Sequence, residues 1–134
     1  MYIVDASVWV EFLRSSGSRK IRENLVPLIR AGSVALTEWT ILELMVGIRG
    51  NEGPASLLSR LAPVHRLSLP RDGWPRAWDL ADKLRKKAVT PSAADCLVAT
   101  VAVSHGVTLL HCDTDFEFIA RHSDLKTLDW TKLL

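Results

Sequence analysis

Five acidic side chains of this 134-residue chain occur in otherwise apolar stretches of sequence: Asp5, Glu43, Asp95, Asp113 and Asp115. An isolated charge is expensive to bury, so carboxylates in such surroundings need a partner. No lysine or arginine lies one helical turn from Asp95. A hard divalent cation would satisfy several carboxylates at once, because Mg²⁺ takes oxygen ligands and keeps waters for a phosphate substrate. The residue types therefore predict a divalent-metal site.

Each of these acids also has a purely local explanation. Asp5 and Asp113 sit where a strand is expected to turn into a helix, and an aspartate there is often only an N-cap. Asp95 could complement the dipole at the start of a helix, and Glu43 could pair with an arginine. Asp115 is the simplest candidate for a plain cap or an exposed acid. Independent caps, however, have no reason to gather beside strand ends and inside apolar helix faces, so the set as a whole favours a site.

The elements that must position these acids follow from the hydrophobic pattern. Short β-branched and aromatic runs predict strands at residues 2–4, 34–36, 64–69, 107–112 and 125–128. Apolar spacings of three and four, with Ser, Thr and Pro start signals, predict helices at residues 7–13, 21–29, 37–48, 54–61, 74–87, 92–106 and 114–120. This alternation predicts an α/β fold of three layers, α/β/α, with a mostly parallel central sheet, in one domain over residues 1–134.

In such a sheet, ligands bind in the crevice beyond the carboxyl ends of the strands, into which Asp5 and Asp113 would both point. If all five carboxylates converge there, ten acids remain elsewhere against 17 lysines and arginines. A basic exterior of this kind would attract a polyanion to the pocket. The alternative is that a mildly basic surface is merely a solvated one, and the net charge of +2 does not decide between them.

Composition narrows the class of protein. With 48% hydrophobic and 24% charged residues, the chain falls in the soluble globular range, and its apolar stretches are too short to span a membrane. The N-terminus does not resemble a signal peptide, since Asp5 interrupts its first apolar run, and a cytoplasmic protein is expected. Cys96 and Cys112 lack the spacing of a metal finger or redox motif, which predicts small buried hydrophobes.

Four short blocks carry a resemblance to a known family. They are Ile3-Val4-Asp5-Ala6-Ser7-Val8-Trp9, Glu43-Leu44-Met45-Val46-Gly47, Ala94-Asp95-Cys96-Leu97-Val98-Ala99 and His111-Cys112-Asp113-Thr114-Asp115-Phe116. Their order and spacing resemble PIN-domain ribonucleases, and in a chain of this length the VapC toxins of toxin–antitoxin pairs. The resemblance implies a Rossmann-like fold, Mg²⁺ or Mn²⁺ dependence and endonucleolytic RNA cleavage. It further implies inhibition by a small cognate antitoxin and assembly into homodimers and hetero-oligomers with that antitoxin.

The resemblance also implies roles for individual residues. The family's acidic catalytic residues correspond here to Asp5, Glu43, Asp95 and Asp113. Asp115 joins Asp5, Asp95 and Asp113 around the metal as an accessory acid. Ser7 corresponds to a polar supporting residue.

The expected chemistry is hydrolysis by metal-activated water, which leaves 5′-phosphate and 3′-hydroxyl ends. Glu43 could hold a second metal or orient the attacking water, and the residues leave both roles open. The four histidines are scattered and each is expected to be structural. A phosphotransfer protein of receiver or dehalogenase type fits poorly, because Ser7 stands where the dehalogenase pattern requires a second aspartate. A catalytically silent binding module, with an acidic docking pocket for a basic partner, remains the second hypothesis.

Two further groups of residues are candidates for binding partners. A groove for an antitoxin's amphipathic segment could be formed by Trp9, Phe12, Trp39 and Leu42. For Trp9 and Phe12, burial in the core is an equally good interpretation. The RNA backbone could be gripped by Arg14, Arg19, Lys20, Arg22 and Arg49.

Overall fold

A parallel sheet forms the centre of the protein. The computed structural model describes residues 1–47 and 53–134. In those residues, five strands pair in the order β3-β2-β1-β4-β5, and every pairing is parallel. The strands are β1 (Tyr2–Val4), β2 (Val34–Leu36), β3 (His65–Arg66), β4 (Thr108–His111) and β5 (Thr127–Asp129). The predicted α/β class and parallel sheet are confirmed. The third strand is shorter than the pattern at residues 64–69 predicted, because only two residues of this edge strand join the ladder.

Helices connect the strands, and each predicted helix in the described ranges is present. They are α1 (Ala6–Leu13), α2 (Arg19–Arg30), α3 (Glu38–Val46), α4 (Pro54–Leu61), α5 (Gly73–Lys86), α6 (Ala93–His105) and α7 (Asp115–Arg121), followed by a 3₁₀ turn at Thr131–Leu133. Side-chain oxygens of Asp5, Ser18, Thr37 and Ser92 accept backbone N–H bonds at the starts of α1, α2, α3 and α6. These N-caps satisfy donors that a helix start otherwise leaves unpaired. None of these helices is long and apolar enough to cross a membrane.

Two apolar cores cover the two faces of the sheet, which makes the fold three-layered. Successive strand residues point to opposite faces, so neighbours in one strand enter different cores. Val4 and Leu110 pack with residues of α1 to α4. Ile3 and Leu109 pack with residues of α5, α6 and α7. Because both faces are covered, the central residues of these two strands are consecutive apolar residues rather than alternating apolar and polar ones.

This topology brings distant acids to one edge of the sheet. Strands β1 and β4 are parallel neighbours, and the Asp5 backbone N–H donates to the Leu110 carbonyl at 2.9 Å, which extends the ladder to the first acid. Helix α6 ends at Gly106, whose left-handed φ of 64° turns the chain directly into β4. Helix α6 therefore runs back along the sheet, and its first turn, with Asp95, reaches the edge where β1 and β4 end.

The backbone at the end of α5 adopts a left-handed conformation at an alanine, and the cost of that conformation to stability can be measured by substitution. Ala88 has φ 58°, and the turn is closed by N–H bonds from Val89 to Leu84 and from Ala88 to Arg85. The same pair of bonds closes α6, where glycine takes the left-handed position. We expect Ala88→Gly to raise the free energy of unfolding by up to about 1 kcal/mol, because glycine adopts positive φ without a Cβ clash.

The matched control is Gly106→Ala, for which an added Cβ meets no atom within 4 Å. This change should lower the free energy of unfolding by a similar amount, since only the backbone conformation opposes it. Urea unfolding of both variants measures the effect. A loss of stability in Ala88→Gly would contradict the proposed strain.

Candidate active site

The ends of β1 and β4 are joined through Ser7. Asp5 is 7% exposed, and its Oδ2 accepts hydrogen bonds from the Ser7 N–H at 2.9 Å and from Ser7 Oγ at 2.6 Å. Ser7 Oγ in turn accepts a bond from the Cys112 N–H at 3.0 Å. Asp5 is therefore the N-cap of α1. Its Oδ2 makes both bonds to Ser7, so Oδ1 takes no part in the cap. Ser7 therefore ties Asp5 to Cys112, the residue beside Asp113, and its supporting role in the site stays a prediction.

Three aspartates meet at this edge. Asp95, Asp113 and Asp115 each offer one carboxylate oxygen, and these oxygens all lie within 4.8 Å of one another. The Asp115 N–H donates to Asp113 Oδ1 at 2.9 Å, and the Asp95 N–H donates to the N-cap Ser92 Oγ at 3.1 Å. The Asp113 carboxylate is thus tied to the backbone of Asp115, and Ser92 caps the helical turn that carries Asp95. Asp115, which the sequence alone suggested as the simplest cap, belongs to the cluster.

The carboxylates destabilise one another's ionised forms. Burial raises the pKa of Asp95 to about 6, and the negative charges of Asp5 and Asp113 add to the effect. Burial likewise raises the pKa of Glu43, with further contributions from Asp5 and Asp95. These interactions place all five predicted acids in one electrostatic neighbourhood, although Asp5 and Glu43 lie outside the group of three.

A divalent cation fits this donor set. Among the described residues, none of the five acids forms an ion pair with a lysine or arginine. Converging carboxylate oxygens, with no partner among the described lysines and arginines, match the preference of Mg²⁺ and Mn²⁺ for oxygen ligands. A bound ion would also relieve the repulsion that raises the pKa values of Asp95 and Glu43.

The two cysteines beside the acids are free thiols. Burial raises the pKa of Cys96, and it raises the pKa of Cys112 to about 11, with Asp129, Glu11 and Asp5 contributing negative charge. Both groups are therefore protonated at neutral pH, which disfavours a role as nucleophile.

The predicted antitoxin-binding residues fall into two environments. Trp9 is 1% exposed, and its indole N–H donates to the Val4 carbonyl at 3.1 Å. Phe12 is partly buried and packs edge-on against Trp9, with ring centroids 5.7 Å apart. Burial in the core is thus the interpretation that fits Trp9. Trp39 and Leu42 are exposed on α3.

The predicted RNA-binding residues lie around the start of α2, with one exception. Arg14 pairs with Glu11, and Arg19 pairs with Glu23 at 2.7 Å. Both partners of the Arg19–Glu23 pair are exposed, and ion pairs of that kind are weak and exchange readily. Lys20 and Arg22 lie on the first turn of α2. Arg49 lies outside the described residues.

One residue of this region was not predicted to contribute. His111 ends β4, two positions before Asp113, and is fully buried, with bonds to the Asp113 backbone and to Glu117. The sequence signal was a histidine within the apolar strand Thr108–His111, directly before the acids.

Comparison with known proteins identifies the family. A model of the PIN domain matches residues 2–122. The chain belongs to the PIN domain family. This PIN domain is 34% identical over 103 residues to Ribonuclease VapC21 of Mycobacterium tuberculosis, with 75% of each chain covered. That identity places it among the VapC ribonucleases, and the predicted enzyme class is confirmed.

Solved structures show the same fold. This PIN domain is similar to a chain in the structure of VapBC2 from Rickettsia felis bound to a promoter DNA fragment, with a TM-score of 0.80, 18% identity, and 96% and 98% of the two chains covered. It is also similar to a chain of a toxin–antitoxin complex from Klebsiella pneumoniae, with a TM-score of 0.69, 19% identity, and 87% and 90% covered. At these identities, the likeness shows the fold alone.

The crowding of the acids predicts how stability depends on pH when no metal is present. The pKa of Asp95 is higher in the folded PIN domain than its ordinary value of 3.8, so the wild type loses stability as pH rises from about 4 through about 6. Asp95→Asn removes that ionisation. In EDTA, we therefore expect the variant to have the same free energy of unfolding as the wild type at about pH 4 and a higher one at about pH 7.

Urea unfolding across this pH range measures the difference, with the exposed Asp124→Asn as the control. Added Mg²⁺ should reverse the order at neutral pH, because a ligand that binds the folded state stabilises it. A stability difference that does not change with pH would contradict the electrostatic account.

Proposed function

We propose that this PIN domain is a divalent-metal-dependent endoribonuclease that acts in the cytoplasm as the toxin of a toxin–antitoxin pair. The observation that carries the proposal is the convergence of carboxylate oxygens from Asp95, Asp113 and Asp115 beside the anchored Asp5. Mg²⁺ is the preferred cofactor, and Mn²⁺ should replace it, because both are hard ions that bind carboxylate oxygens. Ribonuclease VapC21, by its name, acts on RNA.

The four aspartates would hold the ion, and Glu43 would stand beside it. When bound, the ion supplies positive charge to the scissile phosphate and acidifies the water that attacks it. Ser7 keeps one oxygen of Asp5 occupied and so fixes the rotation of that carboxylate. Glu43 is half-buried, and burial together with the charges of Asp5 and Asp95 raises its pKa, so it stands near the carboxylates that would hold the ion. We therefore assign Glu43 to orienting the attacking water.

The substrate would be held by cations around α2. Arg14, Arg19, Lys20 and Arg22 are proposed to contact RNA phosphates, together with Arg49. Exposed pairs such as Arg19 with Glu23 cost little to break, so phosphate can take the place of the carboxylate.

The outer face of α3 is proposed as the antitoxin-binding surface. Trp39, Leu42 and Val46 are all exposed, Val46 to 81%, and their spacing of three and four places them on one side of the helix. Phe12 packs on Trp9 in helix α1, which is a neighbour of α3, and is proposed to lie at the margin of this surface. An amphipathic antitoxin segment would bury these side chains. Homodimers, and hetero-oligomers of toxin and antitoxin, are proposed as the assembled forms.

Cleavage of total RNA by the purified protein tests the enzyme. Discrete cuts should require Mg²⁺ or Mn²⁺, disappear with EDTA and carry 5′-phosphate and 3′-hydroxyl ends. Asp95→Asn should cut on the order of a thousandfold more slowly, because loss of metal charge removes several kcal/mol of transition-state stabilisation. Asp124→Asn should cut normally. Cyclic-phosphate ends, or cutting that survives EDTA, would overturn the mechanism, and metal binding without cutting would support the binding module instead.

The antitoxin surface has its own test. Leu42→Asp places a charge in the centre of the apolar face and should weaken binding of the cognate antitoxin at least about tenfold. Cleavage of RNA by the free toxin should not change. Trp78→Ala, at an exposed tryptophan on α5, is the control and should bind normally. Titration of immobilised toxin with purified antitoxin measures both. Equal affinities for wild type and Leu42→Asp would contradict the assignment.

A further inference from the structure

A polar chain runs through the apolar layer behind the three aspartates. His111 is 0% exposed, and its ring packs against Phe116 with centroids 5.3 Å apart. Its Nδ1 lies 3.1 Å from the Asp113 backbone nitrogen, and its Nε2 lies 2.8 Å from Glu117 Oε1. The same Glu117 oxygen accepts a bond from Thr127 Oγ1 at 2.7 Å. The chain of contacts thus links β5, α7 and β4 to the backbone of Asp113.

The geometry determines which ring nitrogen carries the proton. A backbone N–H can only donate, so His111 Nδ1 accepts the bond from Asp113 with its lone pair. In the neutral ring the proton is then on Nε2, and it donates to Glu117. Both ring nitrogens are satisfied, as a buried imidazole requires.

Ser7 Oγ accepts from the Cys112 N–H in the loop that His111 contacts, and the Phe116 N–H donates to the Asp113 carbonyl, but neither bond engages the Asp113 N–H. Thr114, at the N-cap of α7, makes no side-chain capping bond. The Asp113 N–H lies past the end of β4, where neither a helix nor a strand supplies an acceptor, and His111 Nδ1 is the acceptor it finds. Asp113 Oδ1 then accepts from the Asp115 N–H at 2.9 Å, so the orientation of Asp113 is passed on to Asp115.

We propose that His111 is a positioning residue, which holds the Asp113 backbone through Nδ1 and thereby aims the carboxylates of Asp113 and Asp115 at a shared ion. This inference rests on the metal site of the proposed function. His111 contacts neither substrate nor ion in this role. Glu117 and Thr127 act behind it by fixing the ring and its tautomer.

Two substitutions separate the functions of the two ring nitrogens. In His111→Asn, the amide oxygen lies near the former position of Nδ1 and can accept from the Asp113 N–H, while the bond to Glu117 is lost. In His111→Gln, the amide nitrogen lies near the former position of Nε2 and can donate to Glu117, while the Asp113 N–H loses its acceptor. Asparagine leaves the larger gap in the core, so a purely structural role predicts that it is the more damaging change.

Calorimetric titration of RNA-free protein with Mn²⁺ is the primary measurement, with urea unfolding of each variant alongside. We expect the Mn²⁺ affinity of His111→Asn to lie within about threefold of wild type, and that of His111→Gln to be at least about tenfold weaker. This order of affinities is opposite to the order of stabilities, in which His111→Asn is the less stable variant. His105→Asn, on the exposed end of α6, is the histidine control and should bind as wild type does. Equal affinities for the two His111 variants, or weaker binding by His111→Asn, would overturn the proposal.

Nuclear magnetic resonance of the wild type without metal provides a test that needs no variant. Long-range proton–nitrogen correlation should show the His111 proton on Nε2, and the Asp113 amide proton should resonate downfield, returning upfield in His111→Gln but not in His111→Asn. A proton on Nδ1 would overturn the inference. If wild-type protein failed to bind Mn²⁺, the metal site of the proposed function would fail, and these spectra would still decide whether His111 holds the Asp113 backbone.

Discussion

Mutual repulsion among carboxylates at one edge of the sheet is the constraint on which this structure depends. Burial raises the free energy cost of ionising Asp95, and the nearby negative charges of Asp5 and Asp113 add to it. Folding without a counter-ion must therefore be driven by the two apolar cores on either side of the sheet. Strands β1 and β4, which lead into Asp5 and Asp113, are among the most deeply buried parts of the chain. The most stable elements of the fold therefore hold the mutually repelling carboxylates together.

The acids are held through the backbone rather than by opposing charges. Ser7 joins the ends of β1 and β4, and His111 joins the loop after β4 to the elements behind it. Hydrogen bonds from neutral groups leave the negative charge of the pocket intact, whereas a lysine or arginine would neutralise it. A site that must attract a divalent ion benefits from this difference, because the ion then becomes the strongest partner available to the carboxylates.

Much of this arrangement could be predicted from local patterns, because strand periodicity and N-cap residues are local features. The alternation of strands and helices predicts a parallel sheet with Asp5 and Asp113 at its carboxyl edge. It does not predict that β1 and β4 are neighbours, which is what brings the ends of the two strands together. The role of His111 could not be predicted, since its partners Glu117 and Thr127 become neighbours only when α7 and β5 pack. Nor could spacing decide whether Trp9 faces the core or the solvent, because α1 is apolar on more than one side.

Helix α3 connects the acidic pocket to the protein surface. Glu43 interacts electrostatically with Asp5 and Asp95, while Leu42, one residue away, is exposed. A protein segment that covered Leu42 and Trp39 would lie within one turn of Glu43, since successive helical positions differ by 1.5 Å of rise. A basic side chain on that segment would find several carboxylates without a described cation partner, and it would compete with the divalent ion for them. Inhibition by such a partner would then combine two neighbouring contacts on one helix, because Leu42 of the apolar face and Glu43 of the pocket are adjacent residues of α3.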